Sequence, residues 1–136
     1  MPGFSMTMKP PIPNTESELA YLRHAIHAKE RQRRIVCEGC GESGILEMHE
    51  IVERSHTRGN LELHLLSYQP EMVVFLCRTC HSKAGVETER YFEQNIRRFG
   101  LERVGNTLRR MLDLRPTLLY QLQLPEVLRD YIQTGT

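Results

Sequence analysis

Tryptophan is absent from this 136-residue chain, lysine occurs only three times, and cysteine only four. No apolar run approaches the ~20 residues that a membrane-spanning helix needs, so the composition excludes that class and a membrane partner is not expected. No segment repeats, which excludes solenoids and propellers. The first residues lack the apolar stretch and small-residue cleavage site of an export signal, so a cytoplasmic setting with reduced thiols is expected. Charge of one sign is also missing: the net charge is +1, which by itself argues against a strong nucleic-acid binder. A 40% apolar content at this length suits one domain with a modest core.

What the chain does hold is arginine, which makes up fifteen of its eighteen basic residues. The guanidinium is a flat fork of donors that engages phosphate in bidentate fashion, as a lysine ammonium cannot. The densest cluster is Lys29, Arg31, Arg33 and Arg34, followed by Arg54 and Arg58 and, further on, Arg97, Arg98, Arg109 and Arg110. Arg31, Arg33, Arg34, Arg54 and Arg58 are the candidate phosphate contacts, against the plain alternative of solvated helix faces.

The four cysteines form two matched pairs, Cys37-Glu38-Gly39-Cys40 and Cys77-Arg78-Thr79-Cys80. A Cys-x-x-Cys turn sets two thiolates on one side of a knuckle, and two such knuckles supply the four soft ligands of a tetrahedral Zn²⁺. Two disulfides or a redox dithiol would use the same residues, but the first needs export. One closed zinc site is therefore expected at Cys37, Cys40, Cys77 and Cys80. Gly39, Gly41 and Gly44 suit the tight backbone of such a knuckle. The span from Gly41 to Leu76 exceeds a usual zinc-ribbon spacing and must carry structure, and function, of its own.

Residues 1–14 hold four of the seven prolines and read as a flexible arm, leaving 15–136 as the domain. Thr15-Glu16-Ser17-Glu18 fits a capping box, and Leu19, Leu22 and Ile26 recur at helical spacing, predicting a basic helix over 16–34. Runs at 45–52 and 72–76 are β-prone and predict a hairpin whose arms are parted by a polar loop. From His81 the pattern turns helical through Val86, Phe92, Ile96 and Phe99 to a stop at Gly100, with Tyr91 and Phe92 read as core. Leu101 to Leu114 continues as a helix, Pro116 breaks it, and 117–132 is helical with an interruption at Pro125. The expected class is α+β: an N-terminal helix at 15–34, a zinc-built β-hairpin core at 35–99 and a helical tail at 100–136. His56 and His64 are expected in an exposed loop, His24 and His27 on a helix surface, and Glu47 and Glu53 in solvent.

Taken together, Cys37-x-x-Cys40, Leu46-Glu47-Met48-His49-Glu50-Ile51-Val52-Glu53-Arg54-Ser55 and Phe75-Leu76-Cys77-Arg78-Thr79-Cys80-His81 resemble a zinc-stabilised HNH endonuclease. The likeness covers residues 37 to about 84, at most half of the chain, and Leu-Cys-x-x-Cys-His is its most specific part. The resemblance implies a ββα-metal fold in which two strands and a helix hold a divalent ion (Mg²⁺, Mn²⁺, Ni²⁺ or Zn²⁺) at a DNA phosphate, while the four cysteines keep a separate structural Zn²⁺. It places a metal ligand at His49, the general base at Glu50 and a helix-borne ligand at His81, and a shifted register makes His49 the base. The family's asparagine falls on Met72, and its further helix histidine on Gly85. The function implied is either that of a metal-dependent DNA endonuclease or that of an HNH-fold zinc module without catalysis, binding DNA or docking on a larger nucleic-acid machine or particle. Free-standing proteins of this kind resemble those of bacteriophages and bacteria. The helical tail could also serve a self-dimer.

Overall fold

A computed structural model describes residues 13–135, so the predicted arm at 1–14 lies almost wholly outside the described residues. The architecture is mixed helix and strand, as expected. Helix α1 (Glu16–Arg31) begins where predicted: Thr15 accepts the Glu18 amide at 3.1 Å, and the Glu18 carboxylate accepts from Asn14. The carboxylate thus reaches one residue beyond the usual capping-box partner. The helix ends at Arg31 rather than Arg34, because Arg34 is drawn into the interior.

Strands β1 (Glu47–Glu50) and β2 (Val73–Leu76) pair antiparallel, with Glu47 opposite Leu76 and His49 opposite Val74. The arms are shorter than the predicted runs, and Met72 lies in a 3₁₀ turn, Pro70–Met72, that leads into β2. The connection is no polar loop. It folds into α2 (Arg54–Thr57) and α3 (Leu61–Ser67), the latter capped by the Asn60 carboxamide on the Leu63 amide at 2.8 Å. Leu63, Leu65 and Leu66 go into the core. His64, expected in solvent, is buried there and meets the Thr57 hydroxyl at 2.9 Å.

Every residue of β2 is inaccessible to solvent, which explains its unbroken apolar run in place of alternation. After β2 comes the short α4 (Arg78–Ser82), then a 3₁₀ turn, Ala84–Val86, and α5 (Thr88–Phe99). The predicted single helix from His81 is therefore two, and Val86 is exposed rather than on the apolar face. Tyr91 and Phe92 are core residues. α6 (Leu101–Leu114), α7 (Leu118–Gln121) and α8 (Glu126–Thr134) form the tail, broken at Pro116 and Pro125 as their sequence requires. One apolar cluster extends from Leu19 through Phe75 and Met111 to Leu128. Among the described residues no helix is long and apolar enough to cross a membrane.

Candidate metal centre and the adjoining histidine pair

The two cysteine knuckles are brought face to face by β2. Backbone N–H of Glu38 donates to Phe75 O at 2.9 Å, and the Glu38 carboxylate accepts the Phe75 amide at 2.8 Å. Glu38 thereby satisfies both polar groups of Phe75, as a third strand would. Cys77 follows β2 directly and caps α4, its sulfur accepting the Cys80 amide at 3.4 Å. Gly41 closes the first knuckle at φ +82°, in the region that glycine reaches without strain.

The four sulfurs all lie within 4.8 Å of one another, with Cys40 and Cys77 at 3.9 Å. Sulfurs at ~2.3 Å from a tetrahedral Zn²⁺ stand about 3.8 Å apart, so the cluster matches a structural metal site. Cys37 Sγ accepts amides from Gly39 at 3.3 Å and Cys77 at 3.2 Å. Burial pushes the Cys37 thiol up, but backbone donors at Cys77, Cys40 and Gly39 overcome it and lower it to about 6. Cys80 is pushed up to about 12 by burial and by hydrogen bonding to Cys77, Cys37 and Cys40. Four sulfurs this close cannot all be charged unless a cation joins them, and that is the state a dication selects. Among the described residues this is the one cluster of three or more His, Cys, Asp or Glu side chains able to hold an ion.

Beside it stand two histidines. His49 comes from β1 and His81 from α4, with ring centroids 5.1 Å apart at 69°. His49 also meets the Tyr91 ring at 6.3 Å. It is buried, and its Nε2 has no hydrogen-bond partner. Burial, then the nearby His81, lowers its pKa to about 4, so the ring is neutral at physiological pH. His81 is held through Nδ1 by the Glu47 carboxylate at 2.7 Å.

Strand alternation decides which carboxylate joins them. Glu47 and His49 share one face of β1, and Glu50 points to the other, where it pairs with Arg23 of α1 at 3.1 Å. Glu50 is thus not brought to the histidines, against the resemblance, and Glu47, read as a solvated residue, is. The two-residue spacing from His49 was the signal that would have found it. Gly85 carries no ligand, and a side chain there would begin 3.6 Å from the Glu53 carboxylate. Met72 is fully buried, and the turn around it is braced from α5 instead: Asn95 Nδ2 donates to Glu71 O at 3.0 Å and Val73 O at 2.9 Å.

The arginines divide sharply. Arg34 is 3% exposed and cannot reach a phosphate. Its guanidinium lies between the rings of Phe75 and Phe99 and donates to Glu30, Glu38, Pro70 O and Val73 O. Donors satisfied in the interior make it a structural residue, correcting its assignment to the phosphate-contacting surface. Arg31 is half-buried and donates to Arg34 O at 2.7 Å, whereas Arg33, Arg54 and Arg58 are exposed. Comparison with protein-family models, curated proteins and solved structures finds no match to this chain.

Proposed function

We propose that the chain is a metal-dependent DNA endonuclease of the HNH type, built on a structural Zn²⁺ at Cys37, Cys40, Cys77 and Cys80. The observation that carries this reading is the histidine pair. A buried imidazole nitrogen without a partner is costly, and a chain keeps one chiefly where it serves chemistry. Here it faces a second histidine, aligned by a carboxylate through its other nitrogen, an arrangement typical of metal-ligating imidazole. Both lie in the wording that resembles the family. His49 and His81 would hold the divalent ion, which when bound stabilises charge on the scissile phosphate.

The chain's own residues do the rest. Glu47 fixes the His81 ring. The neutral His49 Nε2 offers a lone pair, either to the ion or to a proton of the attacking water. The water oxygen bonds to phosphorus while the bond to the leaving sugar oxygen breaks. Glu50, paired with Arg23, takes no part in this account, and exposed Arg33, Arg54 and Arg58 supply phosphate contacts.

The second reading, a non-catalytic zinc module that binds DNA or docks on a larger assembly, draws on the same Glu50–Arg23 pair and on Met72. Plasmid cleavage with Mg²⁺, Mn²⁺ or Ni²⁺ separates the two. Cleavage by the zinc-loaded wild type, lost in His49→Ala and His81→Ala proteins of intact zinc content but kept in Glu50→Gln, supports the nuclease. A wild type inert on supercoiled, linear, branched and single-stranded DNA sinks it.

A further inference from the structure

A concave surface lies away from the histidine pair. Residues 33–36 run beside the last turns of α5 and leave a cleft of about 370 Å³. Its floor is the Arg34–Glu38 pair, and Arg33, Gln94, Arg97 and Arg98 rise around it with Ile35 and Val36. Arg33 and Arg97 are exposed and form none of the ion pairs found among the described residues. Arg98 touches Glu38 only at 3.5 Å, and that carboxylate already receives Arg34 and the Phe75 amide. Setting the buried Glu30 and Glu38 against Arg33, Arg34, Arg97 and Arg98 leaves two positive charges in excess. Ile35 and Val36 are 63% and 43% exposed, so the cleft pairs free guanidinium groups with bare apolar surface.

Resting on the proposed nucleic-acid function, we propose that this cleft binds a nucleotide of the same bound strand, a few steps from the one at His49 and His81. The arginines take its phosphate, Ile35 and Val36 pack against its sugar or base, and the Gln94 carboxamide meets a polar edge. Three features favour this occupant over an acidic peptide. The basic groups are all arginine, whose fork matches phosphate oxygens in pairs. The apolar wall suits the sugar and base that accompany each phosphate, whereas acidic side chains come with solvated stems. The cleft is also joined to the histidines by one helix, which carries Tyr91, beside His49, and Arg97 and Arg98. Six to seven residues of helix span about 10 Å, or about three nucleotide steps at ~3.4 Å each.

The test is fluorescence anisotropy with a short fluorescein-labelled duplex and its single strand, titrated over a salt series. The proteins are wild type, Arg33→Ala/Arg97→Ala, Ile35→Ser and His81→Ala, each first shown to keep its zinc and its circular dichroism. The double substitution is expected to lower affinity about tenfold and to reduce the slope of log affinity against log salt by about one, for the one phosphate no longer neutralised. Ile35→Ser should weaken binding with the slope unchanged, and His81→Ala should leave the contribution of the cleft intact. A wild type that binds, with the double variant equal to it in affinity and slope, overturns the cleft while the nuclease reading stands. A wild type that binds no nucleic acid overturns both, as does binding of polyglutamate, but not DNA, that depends on Arg33 and Arg97.

Discussion

A methyl group on Gly39 would stand 2.8 Å from Cys80 Sγ and 2.9 Å from its Cβ, so the two knuckles approach as closely as they do because this residue has no side chain. The backbone cannot yield without moving a sulfur. Gly39→Ala is expected to weaken zinc binding at least tenfold in competition with a chromophoric chelator, while Gly85→Ala, whose added atom meets only Glu53 at 3.6 Å, leaves it unchanged. Equal affinities in the two proteins would count against the packed knuckle. His49 makes a different kind of statement. Its pKa falls from an ordinary ~6.5 when unfolded to about 4 when folded, so between these values the unfolded chain binds more protons. Stability is then lost as pH falls from about 6.5 toward 4, by up to about 3 kcal/mol. Thiol protonation would add its own acid sensitivity if a metal is held at the four-cysteine cluster. The difference between wild type and His49→Leu isolates the histidine: the melting temperature of the variant should fall less steeply over that range, and parallel curves would refute the burial argument.

At the scale of elements, β2 owes its place to a residue that sequence reading put on the surface. Arg34 joins the end of α1, through Glu30, to Glu38 of the knuckle and to the carbonyls that flank β2, and Asn95 of α5 completes the same network. Removing one partner of a buried ion pair strands the others. Arg34→Ala is expected to cost about 3–5 kcal/mol in urea denaturation, and Arg33→Ala, one residue away in solvent, less than about 0.5 kcal/mol. Similar costs for both would return Arg34 to the surface. The same elements show what a sequence discloses. Helix α1, the paired strands, α6 and the break at Pro116 follow from caps, periodicity and proline, which act locally. The cysteine cluster was legible because metal ligands constrain spacing as well as residue type. Arg34 and Glu47 were misplaced and Asn95 was passed over, since their roles arise from distant partners, such as Glu47 with His81 and Arg34 with Asn95. Yet Asn95 did leave a trace, as a polar residue beside Tyr91 and Phe92 on the core face of α5. α3 hid because its alternation of Leu with Glu and His resembles loop polarity more than a helix.

For the whole molecule, a metal held by the four cysteines would tie residue 37 to residue 80 across the insert that carries α2, α3 and both strands, adding to the hydrogen bonds of Glu38 with Phe75 and of Cys77 with Cys37. Apolar burial is concentrated elsewhere, in β2 and in the packing of Val104, Leu108, Met111, Leu118 and Leu128. Metal removal should therefore act unevenly. The amides of Gly39, Cys77 and Cys80 donate to cysteine sulfurs, and without a cation nothing else draws those four sulfurs together. Hydrogen exchange after treatment with a strong chelator should show these amides, Gly41 and α4 opening first, while α5 and α6 retain protection from burial that needs no ion. The melting temperature should drop as well, because an ion bound only by the folded chain stabilises it in proportion to the logarithm of its excess over the dissociation constant. Adding zinc back should restore both readings. A chain stripped of metal, verified by elemental analysis, that melts at the same temperature and protects the knuckle amides equally would show that the four cysteines hold their positions through packing alone. The structural role of the ion would then fall, and the histidine pair would have to be judged without it.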